Sequence, residues 1–187
     1  MATTNFGMIG LGRMGANIVR RLARHNITSA VYDVSPDAVK TLAAEGAIGA
    51  TDMASLAASL STPRTIWIMV PAAVTDSTIA ALADHLSPGD TIIDGGNSYY
   101  KNDLKNAELL KAKGINFVDV GTSGGVYGLE RGYSLMIGGD DADQRASDHA
   151  QHRRKKDRGD EEHADRHKDG AADQARLQRR DQDRLVK

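Results

Sequence analysis

Phe6-Gly7-Met8-Ile9-Gly10-Leu11-Gly12-Arg13-Met14-Gly15 decides the fold of this chain. Phe6 to Gly10 is a short apolar run ending in glycines, as a strand buried in a parallel sheet is. A helix follows over Asn17 to Arg24, with Ile18, Val19 and Leu22 on one face and Arg20, Arg21 and Arg24 elsewhere. Between them lies G-x-G-x-x-G, which alone is a weak signal. Here a strand precedes it, a helix follows, and Asp33 lies in the next apolar run, Ala30-Val31-Tyr32-Asp33-Val34. Gly10 permits a tight turn, Gly12 lets backbone approach a pyrophosphate, and Gly15 lets the helix pack close to the strand. With Leu11, Arg13 and Met14 between them, the helix start presents free N–H groups and a positive dipole end to phosphates. The pattern predicts a bound dinucleotide. Asp33 favours NAD over NADP, because its carboxylate accepts hydrogen bonds from ribose hydroxyls and repels a 2′-phosphate. Neither Val34 nor Ser35 supplies the cation that a 2′-phosphate would want.

Outward from this stretch the same rhythm repeats. Ser35 is placed to cap a helix whose first residue is Pro36. Thr65 to Val70 is a strand, Asp76 to His85 a helix, Thr91 to Asp94 a strand, and Asp103 to Lys113 a helix stopped by Gly114. Ile115 to Val120 and Tyr133 to Gly138 read as two more strands. The fold class expected is α/β, a Rossmann doubly wound and mostly parallel sheet with helices on both faces.

That pattern stops near Asp143. From Gln144 to Lys187 the large apolar residues are Leu177, Leu185 and Val186, among 13 Lys or Arg and 10 Asp or Glu. Such a segment buries too little surface to offset the entropy of ordering it. The expected organisation is a dinucleotide-binding domain over 1–143 and a disordered polar tail over 144–187. The tail also explains why a mean hydropathy of -0.43 understates the apolar content of the front. An out-of-frame reading beginning near Gly139-Asp140-Asp141 would produce such a tail, and translating the encoding DNA in its other frames would test this. The absence of cysteine excludes a disulfide framework and a thiolate nucleophile. No signal peptide or spanning run is read, so a cytoplasmic protein without membrane partners is expected.

Three small-residue turns close successive strands: Val70-Pro71-Ala72, Asp94-Gly95-Gly96-Asn97-Ser98 and Thr122-Ser123-Gly124-Gly125. In open α/β sheets ligands bind at these carboxyl ends. Together with Gly10 to Asn17, the runs Asp94 to Lys101 and Ser123-Gly124-Gly125 resemble the decarboxylating 6-phosphogluconate dehydrogenases, most closely their shorter NAD-using bacterial branch. The resemblance covers Asn5 to Asp141. It implies oxidation of 6-phosphogluconate at its C3 hydroxyl, hydride passing to nicotinamide, and loss of carbon dioxide to give ribulose 5-phosphate. It further implies that Asn97 contacts nicotinamide and substrate and that Ser123, Gly124 and Gly125 bind the substrate. Val70, Pro71 and Ala72 would lie beside the nicotinamide. Ala73 stands where relatives usually have glycine.

One departure is larger. The family's lysine base and glutamate acid follow the Rossmann domain, and a helical domain then builds the homo-oligomer. No matching motif surrounds Lys155, Lys156, Lys168 or Lys187. A base within reach of the substrate hydroxyl is needed for the chemistry, so the chain as given is expected to be catalytically inactive. The related 3-hydroxyisobutyrate dehydrogenases are the alternative, sharing the fingerprint and an S-G-G turn but differing around Asn97. An inactive NAD-binding fragment is the other. His163 and His167, four apart, carry no expected metal site, because nothing holds their segment rigid. Arg153-Arg154-Lys155-Lys156, interleaved with acids and lacking aromatics, is read as solvated rather than nucleic-acid binding. Arg131 is read as a surface arginine, the alternative being a reach to a phosphate at the crevice rim.

Overall fold

The computed structural model describes residues 4–98 and 100–139. Strand β1 (Phe6–Ile9) leads into α1 (Arg13–Arg24), β2 (Ala30–Tyr32) into α2 (Pro36–Ala44), and β3 (Ile48–Gly49) into α3 (Met53–Ala58). The second half repeats the unit with β4 (Thr65–Ile68), α4 (Ala72–Ala83), β5 (Thr91–Asp94), α5 (Tyr100–Ala112) and β6 (Asn116–Ser123). A 3-10 turn (Gly125–Tyr127), α6 (Gly128–Arg131) and β7 (Ser134–Gly139) complete it. The seven strands form one sheet in the order β3-β2-β1-β4-β5-β6-β7. This is the doubly wound order of a Rossmann fold with one strand added at the edge.

The sheet divides two cores because successive side chains on a strand point to opposite faces. Met8 and Val31 join Ile18, Val19 and Leu42 from α1 and α2 on one face. Ile9, Ala30, Ile66 and Ile68 join Leu56, Ile79, Leu82 and Leu110 from α3, α4 and α5 on the other. Each fully buried side chain of this size contributes about 1.5–3 kcal/mol. The entry into β5 is fixed by Asp90, which is 1% exposed. It accepts hydrogen bonds from the Arg64 backbone N–H (2.7 Å), the Arg64 guanidinium (2.9 Å) and the Ser87 N–H (2.9 Å).

Several local readings change. Helix α1 begins at Arg13 rather than Asn17, so it starts directly behind Gly12. Pro36 opens α2 as expected, but the Ser35 hydroxyl makes no capping bond, and its N–H instead donates to Asp33 Oδ1 at 2.8 Å. β3 and α3 were not anticipated. A two-residue strand is too short for any alternation to show. The start of α3 is a capping box, in which the Ser55 N–H donates to Asp52 and the Asp52 N–H donates to Ser55 Oγ. The last strand pairs antiparallel with β6, Ser123 facing Ser134. Only residues 124–133 connect them, and a parallel crossover needs a dozen or more. α6 is held against α1 by Arg21 and Arg24, both donating to the Leu129 carbonyl, and by the Arg24–Glu130 ion pair at 2.8 Å.

Among the described residues no helix is long and apolar enough to cross a membrane. The expected tail over 144–187, with His163, His167 and the Arg153 to Lys156 run, lies outside the described residues.

Candidate functional site

Strands β1 and β4 are neighbours whose onward connections run to opposite sides of the sheet. A crevice therefore opens at their carboxyl ends, where ligands of such folds bind. It is a cleft of about 960 Å³, at the upper end of the ~300–1,000 Å³ typical of small-molecule sites. Its floor is the glycine turn. Gly10 adopts φ 91°, and a Cβ there would press on the Met69 carbonyl. A Cβ at Gly15 would overlap the Gly10 carbonyl oxygen, so α1 lies as close to β1 as backbone allows. Gly12 differs from both. A Cβ there meets no protein atom within 4 Å and would project into open space. The fold therefore requires glycine at 10 and 15, while at 12 the free space suits a ligand.

The start of α1 carries the donors. Gly12 occupies the N-cap position, no side chain caps the helix, and no acid lies in its first turn. The Gly10 N–H is used by the Tyr32 carbonyl (3.0 Å) and the Leu11 N–H by Asp33 Oδ2 (2.6 Å). The first intrahelical bond begins only at the Ala16 N–H, to Gly12 O at 3.0 Å. By helix geometry the N–H groups of the first turn lack intrahelical partners, and the dipole adds about half a positive charge there. Natural helices usually offset this with an acid. Here Arg13 adds positive charge instead, so the end is set up for an external anion.

Asp33 stands at the far wall, half-buried and facing the cleft. Its Oδ2 accepts from Leu11 and its Oδ1 from Ser35, so each oxygen keeps a lone pair for an incoming hydroxyl. Of the sites expected from sequence, Gly10, Gly12, Arg13, Met14, Gly15, Asp33, Val70, Pro71, Asn97 and Ser123 all line this one cleft. Leu11 does not; its side chain is buried in the core beside Met8. Ala72, in the first turn of α4, and Gly124 and Gly125, behind β6, also lie outside the lining. Tyr32, Met53, Val74, Thr78 and Met136 line it and were not singled out. Only Val74 and Thr78, four apart directly after Pro71, carried a sequence signal, a shared helical face. Arg131 stacks over the Tyr127 ring, 5.2 Å from its centroid, and does not line the cleft.

The loop after β5 is tied down by carboxylates. Asp94, 1% exposed, accepts the Gly96 N–H on Oδ1 (2.9 Å) and the Ser98 hydroxyl on Oδ2 (2.6 Å). Asp103 of α5 lies behind, 3.3 Å from Ser98 Oγ. Burial, then the carboxylates of Asp119 and Asp94, push Asp103 above its ordinary value. Burial and Asp94 do the same to Asp119 on β6. Asn97 is exposed and lines the cleft, and among the described residues its amide has no hydrogen-bond partner.

A glycine turn at a topological switch point, an uncapped helix start and an acid at the end of β2 define a dinucleotide-binding Rossmann domain. Residues 5–150 match the NAD binding domain of 6-phosphogluconate dehydrogenase, and the chain belongs to that family of oxidoreductases. The NAD(+)-dependent, decarboxylating 6-phosphogluconate dehydrogenase of Haloferax volcanii is 42% identical over 136 residues, covering 71% of this chain and 44% of that protein. A Plasmodium falciparum 6-phosphogluconate dehydrogenase, described with its cofactor NADP+ and its substrate 6-phosphogluconate, superposes with a TM-score of 0.68. It is 28% identical and covers 73% of this chain and 31% of that one. A Mycobacterium tuberculosis 3-hydroxyisobutyrate dehydrogenase shares the fold, with a TM-score of 0.67 at 21% identity over 78% of this chain and 50% of that one. The chain spans less than half the length of the curated relatives it matches.

Proposed function

We propose that this chain is the cofactor-binding part of an NAD-dependent 6-phosphogluconate dehydrogenase, and that it holds NAD across the cleft between Gly12 and Asn97. The observation that carries this reading is the empty space at Gly12 beneath an uncapped helix start, with Asp33 facing the same cleft. Bound NAD would supply the hydride acceptor. The backbone N–H groups of the α1 first turn hold the pyrophosphate, and Gly12 leaves room for it. Asp33 receives the adenosine ribose hydroxyls. A 2′-phosphate would meet like charge there, so NAD is preferred over NADP.

At the other end, Val70 and Pro71 wall the nicotinamide from water, Asn97 offers it both an amide donor and an acceptor, and Ser123 faces the substrate. Ala72, Gly124 and Gly125 act through backbone alone in this reading. The substrate is 6-phosphogluconate, oxidised at C3 and decarboxylated to ribulose 5-phosphate by the full-length family enzyme. Among the described residues, the titratable ones lining the cleft are Arg13, Tyr32 and Asp33, all on the β1–β2 side. None of these described residues stands on the β5–β6 side to take the proton of a substrate hydroxyl. With no matching motif around Lys155, Lys156, Lys168 or Lys187, the 187-residue chain is expected to bind cofactor without turnover.

Thermal unfolding of the purified chain with NAD or NADP tests this, because a ligand binding only the folded form raises stability with its concentration. NAD should raise the midpoint more than NADP, and Asp33→Ala should shrink that difference. An NADP shift equal to that of NAD in the unaltered chain would overturn the cofactor assignment. Turnover by the unaltered chain, absent in Asn97→Ala, would overturn the inactivity. Assays of a full-length relative with 6-phosphogluconate and with a small 3-hydroxyacid separate the two enzyme readings.

A further inference from the structure

We propose that Asp94 and Ser98 are positioning residues that aim the Asn97 amide into the cleft by tying the residues on either side of it to one buried carboxylate. This rests on the reading of Asn97 as a nicotinamide contact. Asp94 is the last residue of β5 and is nearly sealed from solvent. A buried carboxylate is costly unless its oxygens are hydrogen-bonded, and both partners of this one come from the next four residues. Oδ1 takes the Gly96 N–H at 2.9 Å and Oδ2 takes the Ser98 hydroxyl at 2.6 Å. The Gly95 N–H meanwhile donates to the Ile68 carbonyl at 3.0 Å and extends the β4–β5 ladder one step past the strand.

Three of the four loop residues are thus anchored, and the fourth, Asn97, is the one left facing the cleft. Without the anchors this would be a loose segment, since Gly95 and Gly96 have more backbone freedom than any other residue type. Ser98 is central. Its single hydroxyl hydrogen goes to Asp94 at 2.6 Å in preference to Asp103 at 3.3 Å. Asp103, at the start of α5, lies behind as the longer alternative acceptor for the same hydrogen. Asp76 of α4 accepts instead from Asn102 (2.8 Å) and Asn106 (3.0 Å).

The test compares NAD with ADP-ribose, which lacks the nicotinamide, by calorimetric titration of the full chain. Asn97→Ala, Ser98→Ala and Ser98→Thr are measured beside the unaltered sequence. Ser98→Ala should weaken NAD by about 5- to 30-fold, the equivalent of releasing one ordered residue. ADP-ribose should bind as before, and Ser98→Thr, which keeps the hydroxyl, should restore NAD. If Ser98→Ala preserves the ratio of the two affinities while Asn97→Ala lowers it, the bracket is refuted and the Asn97 contact stands. If Asn97→Ala leaves the ratio unchanged, the contact itself is wrong and the bracket falls with it. Equal loss of both ligands in Ser98→Ala would mark a purely structural role and would also overturn the proposal.

Discussion

Adding one methyl group at Gly12 and one at Gly15 separates folding from binding. The Gly12 backbone, φ -60° and ψ -175°, is open to any L-residue, and its Cβ meets no protein atom within 4 Å. For Gly12→Ala, alanine is the weaker N-cap, while the loss of unfolded-state freedom favours it by about 0.4–1 kcal/mol. The two offset, and the free protein should keep its stability to within about 1 kcal/mol. Pyrophosphate, however, would meet the new methyl. Overpacking of this kind costs about 1–3 kcal/mol, roughly a 5- to 150-fold loss of affinity.

At NAD equal to about 100 times its dissociation constant, the unaltered chain gains about 2.7 kcal/mol; a 100-fold weaker variant gains about 0.4 kcal/mol. With about 2–4 °C per kcal/mol for a chain of this size, the NAD-induced shift falls from roughly 5–11 °C to roughly 1 °C. Gly15→Ala behaves oppositely. Its methyl overlaps the Gly10 carbonyl and cannot be accommodated without moving backbone, so the free protein itself melts early. Circular dichroism melts with and without NAD read both variants. A full NAD shift in Gly12→Ala would show that no phosphate lies over the α1 start. An unfolded Gly12→Ala chain would show that the space at Gly12 is not free.

Two further outcomes follow from the buried acids. Asp90→Ala leaves the largely buried Arg64 guanidinium without its partner. Breaking such a pair costs about 3–5 kcal/mol, and a chemical-denaturation loss under about 1 kcal/mol would refute its role in holding β4 to β5. Asp103 and Asp119 titrate above their ordinary 3.8 in the folded chain, so the folded state binds more protons than the unfolded one. Their contribution is therefore greatest below 3.8 and is lost as pH rises through the raised folded values. Asp103→Asn should melt higher than the unaltered chain at pH 7, with the gap closing toward pH 3.8; a gap constant across that range would show that Asp103 titrates normally.

The order of strands and helices was legible because periodicity and glycine placement are local properties. Ile18, Val19 and Leu22 announce the buried face of α1, and Gly10, Gly12, Gly15 and Asp33, singled out by spacing, line one cleft. The fine structure of the site was not legible to the same degree. Asp94 read as one polar residue in a turn; its burial, and its two hydrogen bonds to the loop carrying Asn97, exist only once β5 is packed between β4 and β6. Met53 and Met136 lie more than eighty residues apart in sequence and share a cleft only through the sheet. The direction of β7 depended on how far β6 extends and how short the return is.

Sequence by itself therefore determined the class of fold, the glycine cradle and the acid beside it, because each rests on the conformational needs of a few neighbouring residues. Tertiary structure alone decided which glycine serves the fold and which leaves room for a ligand. It also decided how the Asn97 loop is held, because both depend on which atoms from distant strands and helices occupy the surrounding space.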